Sequence, residues 1–176
     1  MTQFPLKVLA FFGAYAPLWA IYAIRAIPVD WRLAVGLGAA ATAFPAVILL
    51  FVRHAGQDSN GETTVVADVA RRDDQVMGYL FTYVLPFVGL AFSDPYEVAA
   101  SAVFVLVLLV LYIRTNLFYV NPILSAVGYR VYEIQVTGAP ARIALSKKPF
   151  VSVGQSLRLV RLLDHDIFLD VETRKR

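Results

Sequence analysis

The chain of 176 residues contains no cysteine. Disulfides, zinc–thiolate sites and thiol nucleophiles are thereby excluded, while the compartment stays open. Histidine is almost as scarce, with His54 and His165 as the only two, and a metal centre or nucleophilic relay needs several partners converging. His165 stands between Asp164 and Asp166, but consecutive residues at a hairpin tip point in different directions, so turn chemistry accounts for the trio and no metal site is expected. No Gly-rich loop of the P-loop or dinucleotide type is present. Charged residues amount to only 16 %. The interiors of the long apolar runs hold no Asp, Glu, Lys, Arg or His, the groups on which proton relays, coupled carriers and voltage sensors depend. No cofactor, no catalytic residue and no enzymatic activity are therefore expected.

What the chain does have is apolar surface. Apolar residues make up 59 % and the mean hydropathy is +0.63, whereas a soluble domain holds roughly 45 to 50 % apolar residues. Lipid is the expected solvent for much of the chain. The net charge of +3 and pI near 9.3 fit basic loops on a membrane protein, so direct nucleic-acid binding is not expected. Four hydrophobic runs, 8–24, 33–52, 76–92 and 96–113, each approach the length needed for a core about 30 Å thick. The first is read as a membrane helix and not a cleaved leader, because Trp19, Tyr22 and Arg25 occupy the cleavage region. The predicted architecture is a four-helix transmembrane domain over 1–114, with a loop at 53–75, followed by a small β-rich domain over 115–176. With both termini cytoplasmic, only Arg25 and Arg32 of the 16 Lys and Arg residues fall outside. The positive-inside rule thus predicts a multi-pass, N-in and C-in protein, most simply in a bacterial inner membrane.

Local patterns refine this picture. Ala34, Gly38, Thr42 and Ala46 recur every four residues in the second run, a small-residue stripe suited to close helix packing. The fourth run has no polar face and is expected to face lipid most broadly. Pro17, Pro45 and Pro86 interrupt three runs and each frees a backbone carbonyl. Tyr79, Thr82 and Tyr83 form the one polar stripe of the apolar region. Ser93-Asp94-Pro95 reads as a tight reversal, and Glu62 to Val69 is rich enough in β-branched residues for a short strand. In Arg71-Arg72-Asp73-Asp74 an aspartate is placed to cap the third helix. Downstream, Tyr132, Ile134 and Val136 alternate with polar residues, Arg142 to Lys147 is a further strand, and Leu157 to Leu163 with Ile167 to Val171 form a hairpin. A domain this small is expected to lean on the loop, the bilayer or another subunit. Arg142, Lys147, Lys148, Arg158 and Arg161 lie on its strands. They are the candidate docking residues for a protein partner, aided by unpaired strand edges.

Two stretches carry a family resemblance: Tyr79-Leu80-Phe81-Thr82-Tyr83-Val84-Leu85-Pro86-Phe87, and Asn121-Pro122-Ile123-Leu124 with Gly128-Tyr129-Arg130-Val131-Tyr132-Glu133. Together with the order of features, they resemble the KwaA family, the small four-span membrane subunits of the Kiwa anti-phage defence system. That resemblance implies a membrane-embedded sensor and scaffold that forms a homo-oligomer among membrane lipids. It also implies a soluble, DNA-binding effector protein recruited to the cytoplasmic face. The alternative function is an oligomeric channel or pore-forming effector, in which Tyr79, Thr82 and Tyr83 line the path.

Overall fold

The computed structural model describes residues 4–57, 61–79, 95–136, 138, 140–163 and 167–171. The first apolar run is two helices, α1 (Phe4–Ala14) and α2 (Ala16–Ala26), meeting at 54°. The break follows from Pro17 in the first turn of α2: its ring removes an N–H and favours a fresh helix start over a continuous one. Asp30 then accepts from the Arg32 and Leu33 amides and starts α3 (Trp31–Ala55) as an N-cap. Gly13 lets α1 approach α3 closely, since a Cβ there would collide with Ile48. The face of α3 that packs inward carries Ala34, Ile48 and Val52, and Phe44 on it stacks on Phe12 at 5.7 Å.

The helix α5 (Pro95–Arg114) ends where Asn116 adopts a left-handed conformation, φ 53°, which asparagine tolerates better than most residues. Lys7 of α1 bonds to its side chain. A 3-10 turn (Leu117–Val120) and the short α6 (Pro122–Ala126) follow. Asn121 is fully buried. Its carbonyl caps α6 at Ile123 N and its amide donates to the Ala10 carbonyl at 3.1 Å, which fastens the segment after α5 to α1.

Five strands form a closed barrel in the order β1-β2-β3-β5-β4: β1 (Glu62–Arg71), β2 (Arg130–Val136), β3 (Arg142–Ser146), β4 (Ser156–Leu163) and β5 (Ile167–Asp170). The strand β1 directly follows α3 and leads into α4 (Asp74–Tyr79). Its first half pairs with β4, Glu62 to Val65 against Leu159 to Ser156. Its second half pairs with β2 from Val66↔Val136 to Arg71↔Tyr132. A bulge between Val66 and Asp68 bends the strand so that it serves both neighbours. Val66, Tyr132, Ile134, Ala144, Leu159 and Phe168 fill the interior. The alternate residues Val131, Leu145, Ile167 and Leu169 leave the barrel outward and join α1, α3 and the exit segment in a second core.

Several expectations are corrected by this arrangement. The four-span α-helical membrane fold with an appended C-terminal β-rich domain does not hold. Among the described residues two helices, Trp31–Ala55 and Tyr96–Arg114, are long and apolar enough to cross a membrane, or three crossings if the bent pair α1–α2 counts as one. Hydropathy alone could not register the break at Pro17, because a kink leaves composition unchanged. Most of the third run, with Thr82, Tyr83, Pro86 and the Asp94 reversal, lies outside the described residues, as does His165. The β part is a closed barrel, so among the described residues no unpaired edge strand is left for a partner. The fourth run is largely exposed, with 11 % of its most hydrophobic stretch buried, and Leu108 and Tyr112 of α5 turn into the helix core. Of the two aspartates expected to cap the next helix, Asp73 accepts from Val131 N at 2.9 Å and pairs with Arg71, while Asp74 stands in the first helical turn.

Candidate functional site at the junction of helices and barrel

The last turn of α3 carries Arg53 and His54 against the barrel, and the strand ends nearest to it bring up further cations. Arg53, Tyr129, Ser146, Lys147, Lys148 and Asp170 line a cavity of about 290 Å³ there. A second cavity of about 500 Å³, bounded by Arg71, Met77 and Arg130, shares Tyr129 and Lys147 with the first. The partition between them is a cation–π pair, with Lys147 Nζ 4.9 Å from the Tyr129 ring centre. Burial pushes the Tyr129 phenol above its ordinary value of 10.0, and the nearby Arg53 guanidinium partly offsets this. The hydroxyl therefore remains a neutral hydrogen-bond donor at physiological pH.

The floor of the first cavity is a satisfied ion pair. The Asp170 side chain is 1 % exposed and accepts from Lys148 Nζ at 2.9 Å and from Ser146 Oγ at 2.6 Å. The Lys148 amide in turn donates to Ser146 Oγ at 3.1 Å. Ser146 is fully buried, so this Ser–Asp–Lys cluster holds the end of β3 to β5 and presents no accessible nucleophile. Arg53 and Lys147, by contrast, have no carboxylate within ion-pair distance among the described residues.

The five basic residues singled out from the sequence do not form one face. Arg142 lies 3.4 Å from Glu62 across the barrel and its guanidinium sits over the interior Phe168 ring at 5.0 Å, so it closes one barrel end. Lys148 belongs to the buried pair. Arg158 is half-buried on β4 against Gly61, where a Cβ would stand 2.8 Å from its Nε. Lys147 and Arg161 remain as the exposed cations. Of the small-residue stripe only Ala34 is buried; Gly38, Thr42 and Ala46 turn away from the inward face, and the Thr42 hydroxyl bonds back to Gly38 O and Ala39 O. Tyr79 ends α4, while Thr82 and Tyr83 lie outside the described residues. Among the described residues no group of three metal-ligating side chains occurs.

Sequence reasoning missed Arg53 and Tyr129 as site residues. The signal for Arg53 is a cation that ends a long apolar run. Tyr129 sits in the second resemblance-bearing stretch, which is also the structural hub. Arg130 Nη1 donates to Pro149 O at 2.9 Å, and Glu133 accepts from Arg72 Nε at 2.9 Å.

Comparison with known proteins adds a family to this geometry. No solved structure matches the chain. A protein from Escherichia coli O55:H7 (strain RM12579 / EPEC), described as Kiwa protein KwaA, is 29 % identical over 84 residues, which is 48 % of this chain and 41 % of that protein. The match thus spans less than half the length of that relative. The family model described as "Anti-phage protein KwaA" matches residues 6–169, nearly the whole chain from α1 to the last strand, and the chain belongs to the KwaA family of anti-phage defence proteins.

Proposed function

We propose that the protein is a non-enzymatic, membrane-embedded sensor and scaffold of an anti-phage defence complex. It oligomerises among membrane lipids and docks a soluble effector protein on its barrel. The observation that carries this reading is the position of β1. It follows an apolar helix of 25 residues within a few residues and is paired on both sides, with β2 and β4. A shift or tilt of α3 must therefore strain two strand interfaces at once, and a closed barrel responds as a unit.

Sidedness fits the same reading. Lys7 meets Asn116 beyond the end of α5, and the end of α3 packs on Leu169 at Gly56, so these helix ends share the barrel's side. The lysines and arginines gathered there favour the cytoplasmic face of a bacterial inner membrane. Docking relies on side chains, with Lys147 and Arg161 as the exposed charges. The channel alternative ranks second: the exposed large side chains of α3 and α5 include Val35, Leu50, Val103, Leu106 and Val110, which offer no polar lining among the described residues.

The test uses the full chain in cells carrying its complete defence locus. Lys147→Glu/Arg161→Glu is expected to remain in the membrane fraction, to lose partner retention about tenfold in a pull-down, and to lose phage protection, the scale set by charge reversal at an interface. Unchanged partner retention and protection would sink the docking surface. Ion conductance by the purified protein in liposomes would move the assignment to the channel.

A further inference from the structure

The cavity between α3 and the barrel holds cationic charge that the described fold does not neutralise. Of its charged groups, Asp170 is taken up by Lys148 and Ser146. That leaves Arg53 and Lys147 facing the space without a carboxylate partner among the described residues. Two unneutralised cations converging on a recess of about 290 Å³ repel one another, and an anion placed between them converts that repulsion into two charge-assisted contacts. The recess is large enough for a phosphate group with the first atoms of its ester. The Tyr129 phenol on the wall adds a neutral donor.

The location favours one source of phosphate. Arg53 stands in the last turn of an apolar helix of which only 11 % of the most hydrophobic stretch is buried, so lipid is the natural neighbour of that turn. Just beyond Lys147 and Lys148, Phe150 is 77 % exposed, and Val153 is exposed in the same loop. Apolar tips beside lysines suit the headgroup–acyl boundary of an anionic leaflet.

We propose that the recess formed by Arg53, Tyr129, Lys147 and Lys148 binds a phosphate oxyanion, supplied by the headgroup of an anionic phospholipid. The exposed Phe150 then anchors the adjacent loop in the interface. Occupancy would link the end of α3 to β3 and β5 through the lipid itself, and would make the junction sensitive to local headgroup composition. This inference rests on reading α3 as membrane-crossing, and the experiment separates the two.

Full-length protein in nanodiscs of phosphatidylcholine is titrated with short-chain phosphatidylglycerol, and in a parallel arm with water-soluble glycerol phosphate. The wild type is compared with Arg53→Gln/Lys147→Gln and with Arg161→Gln, an exposed cation on β4 outside the recess. The lipid is expected to bind saturably to wild type and to Arg161→Gln, and about 30-fold more weakly to the double variant, as the loss of two surface cation contacts implies. Glycerol phosphate alone showing that same difference supports the phosphate site and assigns it to a soluble ligand. Equal binding of both ligands to wild type and double variant, with unchanged circular dichroism, overturns the proposal. Failure of the membrane reading is seen separately, as wild-type protein absent from the membrane fraction of cells.

Discussion

The barrel and the helices solve the burial problem in opposite ways. The barrel turns Val66, Ile134, Ala144, Leu157, Leu159 and Phe168 into a closed interior and leaves no strand edge, so its cohesion is internal and driven by water exclusion. The helices bury one narrow face and leave Leu33, Val35, Leu50, Val103, Leu106 and Val110 exposed. Their stability depends on what surrounds those faces. The barrel thus holds its shape by itself, whereas the helices depend on what covers their exposed faces. Between them lies the junction, where Arg53 and Lys147 belong to both regions.

Substitutions inside the barrel should break this comparison most sharply. Lys148→Ala leaves the buried Asp170 carboxylate without its cation. A loss of about 3 kcal/mol is expected from breaking such a pair, read as a lower melting temperature in detergent. Lys148→Met with Asp170→Leu should recover most of it, and no recovery would contradict the pairing seen here. Ile134→Ala, at a position with no exposure, is expected to cost about 2 to 4 kcal/mol through transfer and cavity terms, checked by thermal unfolding and by faster proteolysis of the barrel.

The helix region should give smaller and more selective effects. Gly13→Leu forces α1 away from Ile48 and is expected to cost about 1 to 3 kcal/mol by overpacking. Gly38→Leu meets nothing within 4 Å, so the single chain should fold as before. Any loss of oligomer on size-exclusion chromatography would then report a contact between copies through the outward stripe. A melting loss from Gly38→Leu as large as that from Gly13→Leu would reverse the assignment of the inward face.

The smallest effect is alkaline. Tyr129 and Tyr119 both have phenols raised above 10.0 by burial, so the folded state holds these protons more tightly than the unfolded chain. Their contribution is fully present below pH 10 and is lost as pH rises through the raised folded values. Melting temperature should be flat with respect to these groups from neutrality to about pH 10 and fall above it. Tyr129→Phe should shallow that fall, and an unchanged slope would show that the phenol is not buried at the junction.

Much of the local structure was legible because it rests on short-range rules. The strand at Glu62 followed from its β-branched run, and the alternation of Tyr132 and Ile134 gave the inward face of β2. The break near Pro17 was foreseeable in kind, though its 54° bend was not. The site was less legible. The family stretch from Asn121 to Glu133 pointed at the junction, yet nothing in it revealed that Asn121 would reach Ala10 or that Tyr129 would stack under Lys147. Those contacts join residues 111 and 18 positions apart, and pairwise distance over such separations is not encoded in any periodicity.

By itself the sequence determined the apolar character of the helices, the lack of cysteine and scarcity of histidine, the strand alternation and the excess of cations outside the apolar runs. These follow from side-chain type and spacing along one segment. Only the tertiary structure decided that β1 closes the barrel and that, among the described residues of one chain, the second run packs through Ile48 and Val52. It alone separated Arg142 and Lys148, held in structural pairs, from Arg53 and Lys147, which line a shared cavity and have no carboxylate within ion-pair distance among the described residues. The physical reason is the same in each case. A residue's role depends on which surface is left after the others have packed, and that remainder is a property of the whole chain.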